Sequence, residues 1–254
     1  MATTRKPHHP PPAPSHPKRP LTQNAGYIYS TEGVIGFGTR DFYVHAIPRK
    51  DAVEVILKHH YSGRIVQNSY VHLGVFLHGE RVGVLQFGYA LNPKHVSKIV
   101  RKSTTTNHLE LNRMWLSDAA PRNSESQAIG FAMRYLKRAC PQVRWVQSFA
   151  DERCGGLGVV YQASNFLFVG HHLTRFYELD GETYHEMLLT AHKKGGNRGT
   201  YLRANLGRAQ ERRLRQFRYV FFLKPSARKD LAMRPRPYPK PGVCFDGRKQ
   251  RMAR

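Results

Sequence analysis

Between residues 108 and 170 the apolar pattern changes period several times. The stretch "HLELNRMWLS" (108–117) alternates and reads as a strand, with Leu109, Leu111, Arg113 and Trp115 on one face and Glu110, Asn112, Met114 and Leu116 on the other. "PRNSESQAIGFAMRYLKR" (121–138) changes to helical spacing. Ser124 and Gln127 form a capping box, and Ile129, Ala132, Met133 and Leu136 form an apolar stripe. "VRWVQSFA" (143–150) reads as a buried strand, and "GGLGVVYQASNFLFVG" (155–170) as a glycine turn, a short helix and a further strand. This succession points to an α/β (α+β) domain, a mixed and mostly antiparallel sheet flanked by helices.

The flanking stretches add to this frame. "RKDAVEVILKHH" (49–60) reads as a helix with Val53, Ile56 and Leu57 apolar, and "YVHLGVFLHG" with "RVGVLQFGYAL" as a hairpin turning at Gly79-Glu80. "FYELDGETYHEML" (176–188) is a hairpin whose Asp180-Gly181 pair suits a type I′ turn. Residues 200–216 read as a basic helix, and "FRYVFFL" as a closing strand. Residues 1–24 form a proline-rich leader without packing potential, and residues 224–254 a mobile basic tail. The packed domain is then 25–223.

Charge narrows the partners. A net charge of +24 and a pI near 10.4 exceed what solubility needs and point to a polyanion, most simply nucleic acid. No apolar run approaches the roughly 20 residues of a membrane span. The N-terminus has no apolar core of a signal peptide, and Cys140, Cys154 and Cys244 form neither a CxxC pair nor a disulfide framework. The expected setting is a reducing cytoplasm. In the run 192–218, Lys193, Lys194, Arg198, Arg203, Arg212 and Arg213 are candidate phosphate contacts.

Several residues could carry chemistry. "KHHYSGR" (58–64) combines a helix C-terminus, where cations and glycine are ordinary, with His60 and Tyr61, which can move protons. Asp151 follows a strand at the end where open sheets place their sites; a surface ion pair with Arg153 is the plainer alternative. Arg113 on a central strand needs a partner or a cleft, and Glu110, three residues away, falls on the other face. The strand–turn–helix order resembles GNAT-type acyltransferases, in which a donor pyrophosphate rests on a helix N-terminus. Here that turn is Arg122-Asn123-Ser124-Glu125-Ser126, without the usual glycines. Arg122, Ser124 and Ser126 are candidate donor-binding residues, with an ordinary helix cap as the alternative.

Taken together, "HHYSGRIVQNSYVHLGVF", "LELNRMWLSDAAPRNSES", "WVQSFADERCGGLGVVYQASNF" and "FYELDGETYHE" resemble the phage Mu Mom-like anti-restriction family over about residues 27–222. The resemblance implies a modification of adenine N6 in double-stranded DNA of the methylcarbamoyl (acetamido) type, on a GNAT-like fold, in the bacterial host cytoplasm. It implies acetyl-CoA as donor and admits iron, with His60, Tyr61 and Asp151 as candidate ligands. His60, Tyr61, Asp151 and Tyr161 would then be catalytic, and Arg113 with Ser126 would hold the donor. A homodimer is compatible with it. Two other functions fit the same composition: a basic nucleic-acid-binding protein on a degenerate acyltransferase scaffold, and a plain N-acetyltransferase.

Overall fold

The computed structural model describes residues 26–30, 33–90, 93–190 and 196–241. The proline-rich leader, Lys193, Lys194 and Cys244 lie outside the described residues. Ten strands form one sheet: β1 (Tyr27–Ser30), β2 (Gly33–Gly38), β3 (Phe42–Ala46), β4 (Ser69–Leu77), β5 (Glu80–Gly88), β6 (His108–Leu116), β7 (Trp145–Asp151), β8 (Leu167–Leu179), β9 (Glu182–His185) and β10 (Gln210–Phe222). Their order is β1-β2-β3-β4-β5-β6-β7-β10-β8-β9. Every neighbouring pair is antiparallel except β6–β7. Among the described residues the α-helices are α1 (Arg49–His59), α2 (Ser124–Ala139), α3 (Val159–Ala163), α4 (Met187–Thr190) and α5 (Gly196–Ala204).

α2 connects the two parallel strands, since a parallel neighbour cannot be reached by a tight turn. Its stripe of Ile129, Ala132, Met133 and Leu136 is buried as expected, with Ala128 beside it, in the largest core, with Val44, Leu73, Leu85 and Phe217 of the sheet. α1 contributes to a second core with Ile35, Tyr43 and Val84. Its buried residues are Ala52, Val55 and Ile56, while Leu57 is 52% exposed, so the helix is turned from the expected stripe.

Other expectations need correction. The β4–β5 turn is at His78 and Gly79, both with positive φ, one residue earlier than expected. Asp180 and Gly181 do form the β8–β9 turn with positive φ at both. The basic stretch before residue 217 is not one helix. α5 ends at Ala204, and residues 210–216 already pair with β8 from Glu178 to His172. Arg, Gln and Leu favour helix weakly, but a long ladder against β8 outweighs that preference. Nor does a mobile tail begin at 224. Residues 225–230 form a 3-10 helix with Ala227 and Asp230 buried, and Leu231 bridges Val100. Met233 and Leu231 pack on a third cluster containing Trp145, Val169 and Val220.

β6 and β7 pair only at His108↔Trp145, Leu109↔Val146 and Glu110↔Gln147. Beyond Glu110 the two strands stop pairing, and the fork between them opens the sheet where the site lies.

Candidate active site

The fork leads into a cleft of about 790 Å³. The C-terminal end of α1, the far halves of β6 and β7, α3 and the β8–β9 hairpin line it. Its walls include His60, Tyr61, Arg113, Asp151 and Tyr161, which the sequence places up to a hundred residues apart.

His60 ends α1 with its own N–H bonded to the Ile56 carbonyl, and Gly63, at φ +54°, turns the chain away. The cap and the site are therefore the same piece of chain. The Ser62 backbone N–H donates to His60 Nδ1 at 3.1 Å. An amide can only donate, so Nδ1 is the acceptor and the proton of the neutral ring sits on Nε2. Burial, and next the cationic neighbours Arg113 and Arg153, lower the His60 pKa to about 4. At neutral pH His60 is an uncharged hydrogen-bond donor, not a base.

Tyr61 packs against His60, with ring centroids 4.3 Å apart and planes tilted by 31°. The residue is 63% exposed, with its hydroxyl end toward Cys154 and Asp151. Burial, with Cys154 and Asp151 close by, pushes its pKa up to about 12. The Arg153 guanidinium lies 5.4 Å from the Tyr61 ring centre and 5.3 Å from that of Phe176. Asp151 ends β7. Its carboxylate accepts from the Arg153 backbone N–H at 2.9 Å, and Arg153 Nη2 lies 3.6 Å away. The expected surface ion pair thus exists inside the cleft.

Arg113 reaches the cleft for a reason the plain alternation hides. Phe87 pairs with Leu111 and Gln86 with Arg113, so Asn112 is an extra residue, a β-bulge. The bulge shifts the alternation by one and puts Arg113 on the same face as Glu110, contrary to the strict period of two. Glu110 is buried and accepts from Gln147 Nε2 at 2.8 Å; burial lowers the pKa of Arg113, and Tyr61 and then Glu110 partly oppose that shift. Arg113 Nε donates to the Arg64 carbonyl at 3.1 Å and Nη1 to the Asn112 carbonyl at 2.7 Å. It braces the 60–64 turn from below.

Tyr161 faces the fork from α3, in ring contact with Phe166 and Tyr219. Burial raises its pKa, opposed by a hydrogen bond with Ser148, so it remains a neutral phenol. Gly158 has φ +73°, and a Cβ there would lie 2.4 Å from Tyr219, so the turn before α3 needs glycine. Four cleft residues carried little or no sequence signal. The hidden bulge puts Glu110 on the face opposite to the one strict alternation predicts relative to Arg113, and Cys154, His185 and Phe176 read as ordinary loop or strand residues.

The remaining candidates lie elsewhere. Arg122, Ser124 and Ser126 do not line the cleft. Asn123, at φ +71°, is the N-cap of α2 and makes no side-chain cap bond, so the expected capping box is absent. Ser124 is buried, and the Ser126 hydroxyl donates to the Asn123 carbonyl at 3.0 Å. The expected phosphate contacts are ion-paired: Arg198 to Glu182 at 2.8 Å, Arg212 to Glu178 at 2.9 Å and Arg213 to Glu211 at 3.0 Å. Arg203 donates to the Leu188 carbonyl.

Iron does not fit these residues. His60 would have to give up the Ser62 N–H to offer Nε2, and two arginines crowd the same space. Among the described residues no group of three His, Cys, Asp or Glu side chains is placed to hold a metal ion. Among the same residues no helix is long and apolar enough to cross a membrane.

The model of the Mom protein family matches residues 41–240. The chain is 52% identical over 210 residues to the methylcarbamoylase mom of Escherichia phage Mu, which covers 82% of this chain and 87% of that protein. Among solved structures it is similar to a GNAT-family acetyltransferase from Streptococcus pneumoniae, with 10% identity, TM-score 0.43, and 72% and 99% of the two chains covered. A ribosomal-protein-S5-alanine acetyltransferase from Vibrio fischeri gives 9% identity, TM-score 0.45, and 75% and 98% coverage.

Proposed function

The chain belongs to the Mom protein family, and from that premise we propose that it is a transferase that places a methylcarbamoyl group on adenine N6 in DNA, shielding phage DNA from restriction. The identity to the phage Mu methylcarbamoylase across most of both chains carries this reading. The cleft is compatible with it. Its volume of about 790 Å³ suits an adenine together with an acyl donor, and a base inside a duplex is reached by flipping it out.

Adenine N6 is a poor nucleophile because its lone pair is delocalised into the ring. Transfer therefore needs a proton acceptor on the amine and donors on the carbonyl oxygen. In this reading Asp151 is the acceptor, because His60 is held neutral with its proton on Nε2 and Tyr61 is held as a neutral phenol. His60 and the Arg153 cation are the donors to developing oxyanion charge. Tyr161 is the neutral phenol that can return a proton to a leaving thiolate. Acetyl-CoA is the proposed thioester ligand. Acetyl-CoA itself would give N6-acetyladenine, so the transfer balances when the thioester that N6 attacks already carries the methylcarbamoyl group: the N6–C bond forms as the C–S bond breaks, Asp151 takes the amine proton and Tyr161 returns one to the departing thiolate.

The test is direct. The chain is expressed in bacteria and plasmid DNA is digested to nucleosides for mass spectrometry. A deoxyadenosine species heavier by a methylcarbamoyl group is expected, and it should disappear with Asp151→Asn while the folded variant still binds DNA. Four ordinary nucleosides from cells rich in folded parent protein would leave only a DNA-binding role.

A further inference from the structure

The arginines of 196–218 that carry acid partners contrast with another run of cations. Besides the pairs above, Arg208 meets Asp180 at 2.7 Å, and Arg215 is clasped by Glu152. After Asp230 the chain reads "LAMRPRPYPKP" through residue 241, with Arg234, Arg236 and Lys240 and no acidic residue. Asp230 itself is buried. Arg144 binds its carboxylate, and Lys102 and Lys229 lie near enough to lower its pKa further. The Arg101 guanidinium donates to the Lys229 carbonyl, which gathers Arg101, Lys102 and Lys229 around one neutralised acid, with Lys98 and Arg228 nearby in the chain; all five are exposed.

The segment that leaves this cluster is held straight. Pro235, Pro237, Pro239 and Pro241 alternate with Arg236, Tyr238 and Lys240. Each proline fixes its own φ and steers the residue before it to extended backbone. Three anchors pin the segment to α3 and β8. Arg236 N–H donates to the Phe168 carbonyl at 2.8 Å, Tyr238 Oη to the Phe166 carbonyl at 2.8 Å, and Gln162 Nε2 to the Pro239 carbonyl at 3.4 Å. Pro239 is buried, while Arg234, Arg236 and Lys240 are exposed. Pro241 lines the cleft itself. The segment therefore starts at the cation cluster and ends at the mouth of the site.

We infer that residues 228–240 form a pre-organised rail for the phosphate backbone of duplex DNA, guiding the strand from the 98–102 loop to the cleft; the inference rests on DNA being the substrate. At about 3.1 Å per extended residue, Arg234 to Lys240 covers about 19 Å, the length of five or six base pairs. Cations on a backbone already ordered lose little further freedom when phosphates bind. The ion-paired arginines of 196–218 must first break their pairs.

The full chain is titrated against a labelled 30-base-pair duplex at several salt concentrations by fluorescence anisotropy. For R234Q/R236Q/K240Q the slope of log K against log salt should become shallower by about 2.7, at about 0.9 for each lost phosphate contact. R212Q/R213Q should keep the parental slope. A parental slope in the rail variant, at an unchanged melting temperature, would overturn the rail. So would a slope change seen with an RNA duplex and not with DNA. If the triple variant fails to fold, the single Arg234→Gln change carries the test, with an expected shift of about 0.9. Nucleoside analysis of the same proteins separates the two readings. Rail-dependent binding without modified adenine removes the enzyme and keeps the rail, and modified adenine with rail-independent binding does the reverse.

Discussion

His60 shows how a single backbone amide decides a side chain's chemistry. The Ser62 N–H fixes the tautomer, and burial beside Arg113 and Arg153 holds the pKa at about 4, below the ordinary 6.5. Between those values the unfolded chain takes up a proton that the folded chain refuses. His60 therefore costs stability progressively as pH falls from about 6.5 to about 4. Other buried histidines, among them His45 and His108, are shifted the same way. The parent should lose melting temperature between pH 7 and 4.5, and His60→Gln should lose less over the same interval. Equal losses would mean that His60 protonates freely in the folded protein. None of this was readable from "KHHYSGR", where only a family resemblance separated a site from a helix cap. The tautomer depends on a bond made two residues away.

Elements whose period is regular are legible: α2 with its buried stripe, β7 and the Asp180-Gly181 hairpin lie where the pattern and turn chemistry put them, and β6 has the expected extent. The exceptions have local causes. The bulge at Asn112 breaks the alternation with no glycine or proline to announce it, so Glu110 and Arg113 were assigned to opposite faces. The residues 210–216 have helix-favouring side chains, and only the β8 ladder makes them a strand. The cleft was legible in Asp151, Tyr161, His60 and Tyr61, but the donor turn at 122–126 was not part of it. Because Arg113 ties Arg64 to the bulged strand by two backbone carbonyls, Arg113→Ala should lower both stability and modification. Losing charge-assisted bonds of this kind costs about 1.5–3 kcal/mol. Arg113→Lys should not restore either, since an ammonium lacks the fork that spans both acceptors. Chemical denaturation and the plasmid digest check this, and a lysine variant with parental behaviour would show that charge alone matters there.

At the scale of the molecule, residues 224–233 complete the core around Trp145, and the segment then runs on to Pro241 at the cleft. Leu231 and Met233 cover Trp145, Val169 and Val220, and Asp230 pairs with Arg144. A chain ending at residue 223 should melt at a lower temperature than one ending at residue 241, because it exposes this cluster and leaves Arg144 without its acid. Equal melting temperatures would show that the segment only lies on a finished surface. The strand order carries a consequence for synthesis. β10 is the last of the described strands to be made, yet it sits between β7 and β8. While the ribosome is still short of residue 210, β7 and β8 each offer a bare edge to any passing strand. A message cut short in that interval yields no smaller working enzyme, only a half-sheet prone to aggregate. This half of the protein can fold only after residues 210–222 have been translated.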